Sequence, residues 1–197
     1  MKRILKKNIN TKNYWNSQLK SGKWGAERGI LYSKLTKYLP KKGTYSCLDI
    51  GCAAGHGIAT LTKLRRNINF DACDFSNNGI IAAKSNYNNT KIRFFTHDIL
   101  KDSLNKKYDY ILIVETLEHV NDPLRAVKKY IKYCNKKLII TVPYKEQGWK
   151  EHIYSFDEKS FASVPEFRKY QILNKPGGGN IIVYLFEPKQ RTEKVFH

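Results

Sequence analysis

Small residues alternate with other residues near position 50 in a way that suits a bound nucleotide-like ligand. The segment Asp49-Ile50-Gly51-Cys52-Ala53-Ala54-Gly55 places Gly51, Ala53 and Gly55 at alternate positions. Small side chains in a turn between a strand and a helix let the backbone come close to a ligand. The segment is not a clean Gly-x-Gly-x-x-Gly, and such a turn indicates little by itself. Its interpretation depends on the acidic residues that follow.

A carboxylate further along the chain is spaced as a ribose-binding group would be. Asp74 lies 23 residues after Gly51, at the end of the next predicted strand. A carboxylate there can accept hydrogen bonds from both hydroxyls of a ribose. Asp71 is the rival residue, but it falls inside the strand. A charge that stabilises the start of the following helix is the competing interpretation of Asp74.

Three ionisable residues lie within a five-residue segment further on. Glu115, Glu118 and His119 follow a near-continuous apolar run, Tyr108–Val114, at the end of a strand where α/β folds place their ligands. One of them could act as a general base toward an acceptor hydroxyl. With the distant His152 they could instead bind a divalent ion. We favour His119 as a base, with no resident metal.

Alternating strands and helices are needed to bring these segments together. Apolar runs predict strands over Ser46–Ile50, Ile68–Cys73, Ile92–Phe95, Tyr108–Val114 and Leu138–Val142. Helices are predicted from about Gly57 to Leu64 and, with polar caps, after Thr11, Ser76 and Asp122-Pro123. A short helix is predicted over Asp157–Phe161. The runs Phe167–Leu173 and Ile181–Phe186 then predict a C-terminal antiparallel hairpin. The order indicates an α/β fold, a Rossmann-like three-layer sandwich with a mostly parallel seven-stranded sheet.

Length, charge and cysteine content limit the classes of protein. The chain has 197 residues and 41% hydrophobic residues, which suits one packed domain. No apolar run approaches the roughly 20 residues of a membrane helix, and the basic N-terminus has no apolar segment typical of a signal peptide. Four scattered cysteines are typical of reduced thiols, so we expect a cytoplasmic protein.

The formal net charge is +19, from 36 basic and 17 acidic residues. Such a balance favours anionic partners, including nucleic acid. Compositional drift is the alternative explanation, since the lysines are spread along the chain as doublets. The sequence predicts no oligomeric state.

Four segments together resemble the class I S-adenosylmethionine-dependent methyltransferases, in the group that includes the ubiquinone-pathway O-methyltransferases. These segments are Asp49–Gly57, Asp74-Phe75-Ser76, Thr96-His97-Asp98-Ile99, and the Glu-x-x-Glu-His-Val-x-Asp-Pro run that ends at Pro123. They stand in the order of the family's motifs. Ala53 departs from the family pattern, which has glycine there.

The resemblance implies S-adenosylmethionine as cofactor and S-adenosylhomocysteine as its product. It assigns cofactor contacts to Asp49, to the backbone at Gly51, Ala53 and Gly55, to Asp74 for the ribose, to Phe75, Asp98 and Ile99 for the adenine, and to Glu115 beside the methionine moiety. His119 and Glu115 become the catalytic candidates. Trp24 and Arg28 are placed to fold over the cofactor.

The whole chain, 1–197, is expected to form one methyltransferase domain. It divides into a helical cap (1–43), a cofactor-binding core (44–143), a substrate-side loop with the hairpin (144–188) and a tail (189–197). The expected activity is methyl transfer to oxygen or nitrogen of a small, anionic metabolite. The alternatives are an RNA methyltransferase, metal-assisted at a 2′-oxygen through Glu115, Glu118, His119 and His152, and a cofactor-binding partner protein without catalysis.

Overall fold

The structure is a computed structural model that describes residues 1–5, 7–146, 148–175 and 178–189. Its strands are β1 (Lys2–Arg3), β2 (Tyr45–Ile50), β3 (Ile68–Asp74), β4 (Arg93–Thr96), β5 (Tyr108–Val114), β6 (Cys134–Pro143), β7 (Tyr154–Ser155), β8 (Phe167–Asn174) and β9 (Asn180–Phe186). Its helices are α1 (Lys12–Leu19), α2 (Arg28–Leu35), α3 (His56–Leu64), α4 (Asn77–Asn86) and α5 (Pro123–Ile131). Short 3₁₀ turns cover Thr36–Tyr38 and Leu117–His119.

Seven strands form one sheet in the order β4-β3-β2-β5-β6-β9-β8. Strands β2 to β6 run parallel, while β9 pairs antiparallel with both β6 and β8. This confirms the mostly parallel sheet and the C-terminal hairpin. Since the carboxyl ends of parallel strands meet at one edge, the segments after β2, β3, β4 and β5 come together there.

Helices cover both faces of the sheet and bury every residue of β5 except Asp109. One apolar cluster joins the sheet to α2, α3 and α4, with Leu35, Leu61 and Ala83 among its members. A second cluster packs α5 and the segment 156–164 on the opposite face. The two clusters make the predicted three-layer sandwich. Because each face of β5 is packed against one of these clusters, its side chains are apolar on both faces.

Polar side chains begin three helices where the sequence predicts. Thr11, Ser76 and Asp122 accept hydrogen bonds from backbone N–H groups of Tyr14 (3.1 Å), Gly79 (3.1 Å) and Arg125 (3.0 Å), respectively. A cap of this kind contributes about 1 kcal/mol. The cap at Ser76 fixes α4 directly behind the cavity that Asp74 lines.

Two local predictions differ from the structure. The predicted helix over Asp157–Phe161 is wrong, because the backbone there makes turns that bond three residues apart, from Ser160 N to Asp157 O at 3.1 Å. The hydroxyl of Ser160 also bonds the Asp157 carboxylate (2.8 Å), which favours a turn over a helix. Two strands were not predicted, β1 and β7, which pair with each other. The tail beyond residue 189 lies outside the described residues.

Among the described residues, no helix is both long enough and apolar enough to cross a bilayer.

Candidate functional site

The turn between β2 and α3 has the backbone that the sequence predicts. Gly51, Ala53 and Gly55 all have positive φ, at 86°, 50° and 83°. A Cβ on Gly51 would lie 2.2 Å from the Thr116 hydroxyl, so only glycine fits there. Ala53 holds its left-handed conformation at a cost of about 1–2 kcal/mol. The turn is therefore strained, and something must hold it.

Asp74 holds this turn. Its Oδ2 accepts the Ala53 N–H (3.0 Å) and its Oδ1 accepts the Ser76 N–H (2.8 Å). Burial raises the pKa of Asp74, while these backbone hydrogen bonds act in the opposite direction. Each carboxylate oxygen keeps a further lone pair, so Asp74 can still accept from a ligand. Its rival, Asp71, is instead paired with Arg93 (2.6 Å) and Lys106 (3.0 Å).

A cavity of about 490 Å³ lies at the carboxyl edge of the sheet. Of the residues that the sequence assigns to the site, eight line it: Gly51, Ala53, Asp74, Phe75, Asp98, Ile99, Glu115 and His119. The N-terminal segment closes it from above with side chains that include Trp15, Leu19 and Trp24. Its volume is in the range of cavities that bind cofactors.

The Asp98 side chain shapes the cavity at the end of β4. Its Oδ1 accepts the backbone N–H groups of Leu100 (2.9 Å) and Lys101 (3.2 Å). These bonds form a tight turn after β4 that carries Ile99 into the cavity wall.

Two predicted site residues lie away from the cavity. Asp49 is fully buried, and its two oxygens accept hydrogen bonds from the Tyr32 hydroxyl at 2.9 and 3.1 Å. Burial raises the pKa of Asp49 to about 7. Asp49 thus fastens α2 to β2 under the turn. Gly55 begins α3, and a Cβ there would lie 3.0 Å from the Tyr87 ring.

Beyond this turn, Glu118, His119 and His152 come together. One oxygen or nitrogen from each lies within 4.8 Å of the other two. Glu118 is buried, and its Oε2 has no hydrogen-bond partner among the described residues. The Nδ1 of His119 contacts the Glu151 carbonyl (3.1 Å), and that of His152 contacts the Glu146 carboxylate (3.1 Å). Both rings are thereby oriented with their Nε2 atoms unused by these contacts.

Burial keeps the imidazoles of His119 and His152 neutral. Burial, and then the neighbouring His152, lower the pKa of His119 to about 3. Burial also lowers the pKa of His152 to about 4. Burial and the nearby charge of Glu115 raise the pKa of Glu118. A neutral imidazole is a good metal ligand, whereas a base with a pKa near 3 takes up a proton poorly at pH 7.

Glu115 was predicted, but its partner was not. Its φ is 48°, and its Oε2 lies 2.8 Å from the Lys175 ammonium. Its Oε1 is buried and has no hydrogen-bond partner in the part of the chain that the structure describes. Lys175 lies 60 residues away in the sequence, and no local pattern predicts the pair.

The N-terminal segment also holds the loop that carries His152. The Trp15 ring packs edge-on against His119, with 5.0 Å between ring centroids. Asn10 donates to the Glu151 carbonyl (2.8 Å), and the Tyr14 hydroxyl donates to the Glu151 carboxylate. The Arg28 guanidinium lies 4.7 Å from the ring centroid of Trp24, and of these two residues Trp24 lines the cavity. The N-terminal segment therefore closes the cavity and also holds the cluster of Glu118, His119 and His152 in place.

Comparison with known proteins identifies the central part of the chain. Residues 48–137 match a family model described as "Methyltransferase domain". The chain is 26% identical over 105 residues to malonyl-[acyl-carrier protein] O-methyltransferase of Bacillus anthracis, covering 53% of this chain and 39% of that protein. It is 34% identical over 68 residues to tRNA N(3)-methylcytidine methyltransferase trm141 of Schizosaccharomyces pombe, covering 34% of this chain and 27% of the relative. The matches thus span well under half of these relatives.

The fold has close counterparts among solved structures. N-methyltransferase NodS from Bradyrhizobium japonicum WM9, in complex with S-adenosyl-L-homocysteine, superposes with a TM-score of 0.66 at 19% identity. The superposition covers 83% of this chain and 87% of NodS. The likeness confirms the Rossmann-like fold.

Proposed function

We propose that this chain, whose residues 48–137 match a family model described as a methyltransferase domain, binds S-adenosylmethionine in the cavity and transfers its methyl group to oxygen or nitrogen of a small acceptor. The observation that carries the proposal is the cavity itself. It is lined by Asp74 and Asp98, which follow β3 and β4, and by Gly51 and Glu115, which follow β2 and β5.

The cavity residues fit the cofactor part by part. Asp74 has free lone pairs for the ribose hydroxyls, and Phe75, Asp98 and Ile99 line the wall beside it for the adenine. At the other end, Gly51 lets the backbone approach the methionine moiety. Glu115 adds a buried, unpartnered oxygen for a donor group of the ligand.

Methyl transfer needs little covalent catalysis by the protein. The bond between the methyl carbon and sulfur breaks with its electron pair going to sulfur, a new bond forms to the acceptor, and the acceptor's proton leaves. The chain's task is to hold the acceptor in line with the methyl group and to exclude water. Trp15 and Trp24, which cover the cavity, serve the second purpose.

A specific observation favours a second candidate, transfer to a hydroxyl with help from a divalent cation. Glu118, His119 and His152 offer one carboxylate and two neutral imidazoles within 4.8 Å. When bound, such an ion supplies Lewis-acid polarisation of an acceptor oxygen. The orphaned Glu118 Oε2 and the two oriented rings fit this role better than they fit a histidine base. Glu115, paired with Lys175, is not among the three.

The relatives suggest two acceptor classes. By their names, one methylates an oxygen of a carrier-bound malonyl group and the other a cytidine in tRNA. We propose the small-molecule class. The +19 charge is the feature that favours RNA.

The test has two stages. Calorimetry with S-adenosylhomocysteine is expected to show one site, and NAD is expected to give no heat. Methyl transfer to a panel of hydroxyl, amine and carboxylate metabolites and to bulk RNA then follows, with and without EDTA. Loss of activity in EDTA and its recovery with Mg²⁺ or Mn²⁺ would select the cation-assisted form. Transfer to RNA alone would replace the small acceptor, and cofactor binding without any transfer would indicate a partner protein.

A further inference from the structure

An ion pair joins a buried carboxylate in the cavity wall to a partly exposed lysine. The Glu115 side chain is 1% exposed and that of Lys175 36% exposed, and the Glu115 Oε2 contacts the Lys175 ammonium at 2.8 Å. Glu115 lines the cavity, whereas Lys175 is not among its lining residues. The backbone of Glu115 is in the left-handed region, with φ at 48°. A strained backbone that presents a carboxylate to a cavity is typical of a functional site.

The hairpin delivers Lys175 to this position. Lys175 follows β8 directly, and its N–H donates to the Gly179 carbonyl at 3.1 Å. The neighbouring Asn174 carbonyl accepts a hydrogen bond from Lys34 on α2 at 2.7 Å. The base of the hairpin loop is thus tied to the body of the domain, and Lys175 is held over Glu115.

The order of the lining residues places this pair near the methyl donor. Asp74 and Asp98 follow β3 and β4, and Glu115 follows β5 on the other side of β2. With the ribose at Asp74 and the adenine at Asp98, the sulfur extends toward Gly51 and Glu115, which line the cavity on its β2 and β5 side. This step rests on the proposed function, because it takes the ligand to be S-adenosylmethionine.

We infer that Lys175 determines how strongly the site distinguishes the sulfonium cofactor from its neutral thioether product, by balancing the charge of Glu115. S-adenosylmethionine carries one more positive charge than S-adenosylhomocysteine. An unbalanced carboxylate would bind the charged cofactor more tightly. The sulfonium charge disappears during transfer, so such binding would stabilise the ground state more than the transition state and slow the reaction. Lys175 moderates that attraction without touching the ligand.

The experiment compares the dissociation constants of S-adenosylmethionine and S-adenosylhomocysteine by calorimetry, and needs no acceptor. Lys175→Met should raise the preference for S-adenosylmethionine about tenfold, the size expected for one unit charge roughly 10 Å away at an effective dielectric constant of about 20. Glu115→Gln should lower the preference by a similar factor. The double variant should return near the wild-type ratio, and Lys175→Arg should keep it.

Two controls separate charge from structure. Lys34→Met removes the tie to Asn174 but leaves the charge at Glu115, and Lys169→Met removes an exposed charge from β8. Both should leave the ratio within twofold of the wild type. Sinefungin, which carries an amine near the position of the methyl group, should follow S-adenosylmethionine.

The outcomes are distinct. If Lys175→Met weakens both ligands equally, or leaves the ratio unchanged, Lys175 is merely structural and the inference is wrong. If Lys175→Met fails to fold, Glu115→Gln still tests the inference. An unchanged ratio of the two dissociation constants in that variant also overturns the inference. If the wild type binds neither ligand, the proposed function itself fails.

Discussion

Replacing Asp74 by alanine should reduce two separate quantities, the stability of the free protein and its stabilisation by S-adenosylhomocysteine. The carboxylate accepts two backbone N–H groups, at 3.0 and 2.8 Å, and these hold the strained turn. Hydrogen bonds to a charged group contribute about 1.5–3 kcal/mol each, and relief of carboxylate burial offsets part of the loss. We expect a net cost of about 2–4 kcal/mol, or a fall of about 5–12 °C in Tm for a chain of this size.

The ligand effect is measured against that lower baseline. At about 100 times its Kd, S-adenosylhomocysteine should stabilise the wild type by about 2.7 kcal/mol. If loss of the ribose contacts weakens binding about 30-fold, the same concentration stabilises the Asp74→Ala variant by less than about 1 kcal/mol. Scanning calorimetry with and without ligand measures both effects, and titration calorimetry gives the change in Kd directly.

The matched control is Asp71→Asn, three residues earlier on the same strand. Asp71 is paired with Arg93 and Lys106 and does not line the cavity. This variant should lose stability yet keep the full ligand effect. A full ligand effect in Asp74→Ala, or its loss in Asp71→Asn, would show that the ribose has been assigned to the wrong carboxylate.

Three further perturbations test other parts of the site. The pKa of Asp49 is about 7 in the folded protein and 3.8 ordinarily, so the free energy of unfolding falls as pH rises from about 4 to about 7. Asp49→Asn should remove on the order of 3–4 kcal/mol of that fall. Thermal melts at pH 5 and 7.5 would then show the order of the wild-type and variant melting temperatures reverse between the two pH values. Glu118→Gln should abolish any rise in Tm produced by Mn²⁺, whereas Glu27→Gln, at an exposed acid outside the cluster, should keep it. An equal rise in both variants would place the ion elsewhere. Gly51→Ala should fail to fold or lose several kcal/mol, since its Cβ would lie 2.2 Å from the Thr116 hydroxyl, and a melting temperature close to wild type would contradict the turn geometry.

The sheet and the cofactor side of the site could be predicted because their signals are local. Alternating apolar runs and polar helix caps gave the order of strands and helices, and Asp74 was recognised by its position at a strand end. The distinction between Asp71 and Asp74 also followed from position alone. In the structure, Asp71 lies inside β3, three residues before the end of the strand, and is paired with its own cations.

The acceptor side could not be predicted to the same extent, because its contacts join distant segments. The pairing of Glu115 with Lys175 and the packing of Trp15 on His119 depend on how the hairpin and the N-terminal segment fold back. Burial, which sets the pKa of His119, cannot be read from one sequence. Residue type alone therefore favoured His119 as a base, whereas the lowered pKa of His119 weighs against that function.

A crystal structure of the chain with S-adenosylhomocysteine would test the proposed cofactor site most directly. We expect the ligand in the cavity of about 490 Å³, with both ribose hydroxyls donating to Asp74, the adenine beside Phe75 and Asp98, and the sulfur facing Glu115. A ligand bound elsewhere, or bound in this cavity with its ribose away from Asp74, would contradict it.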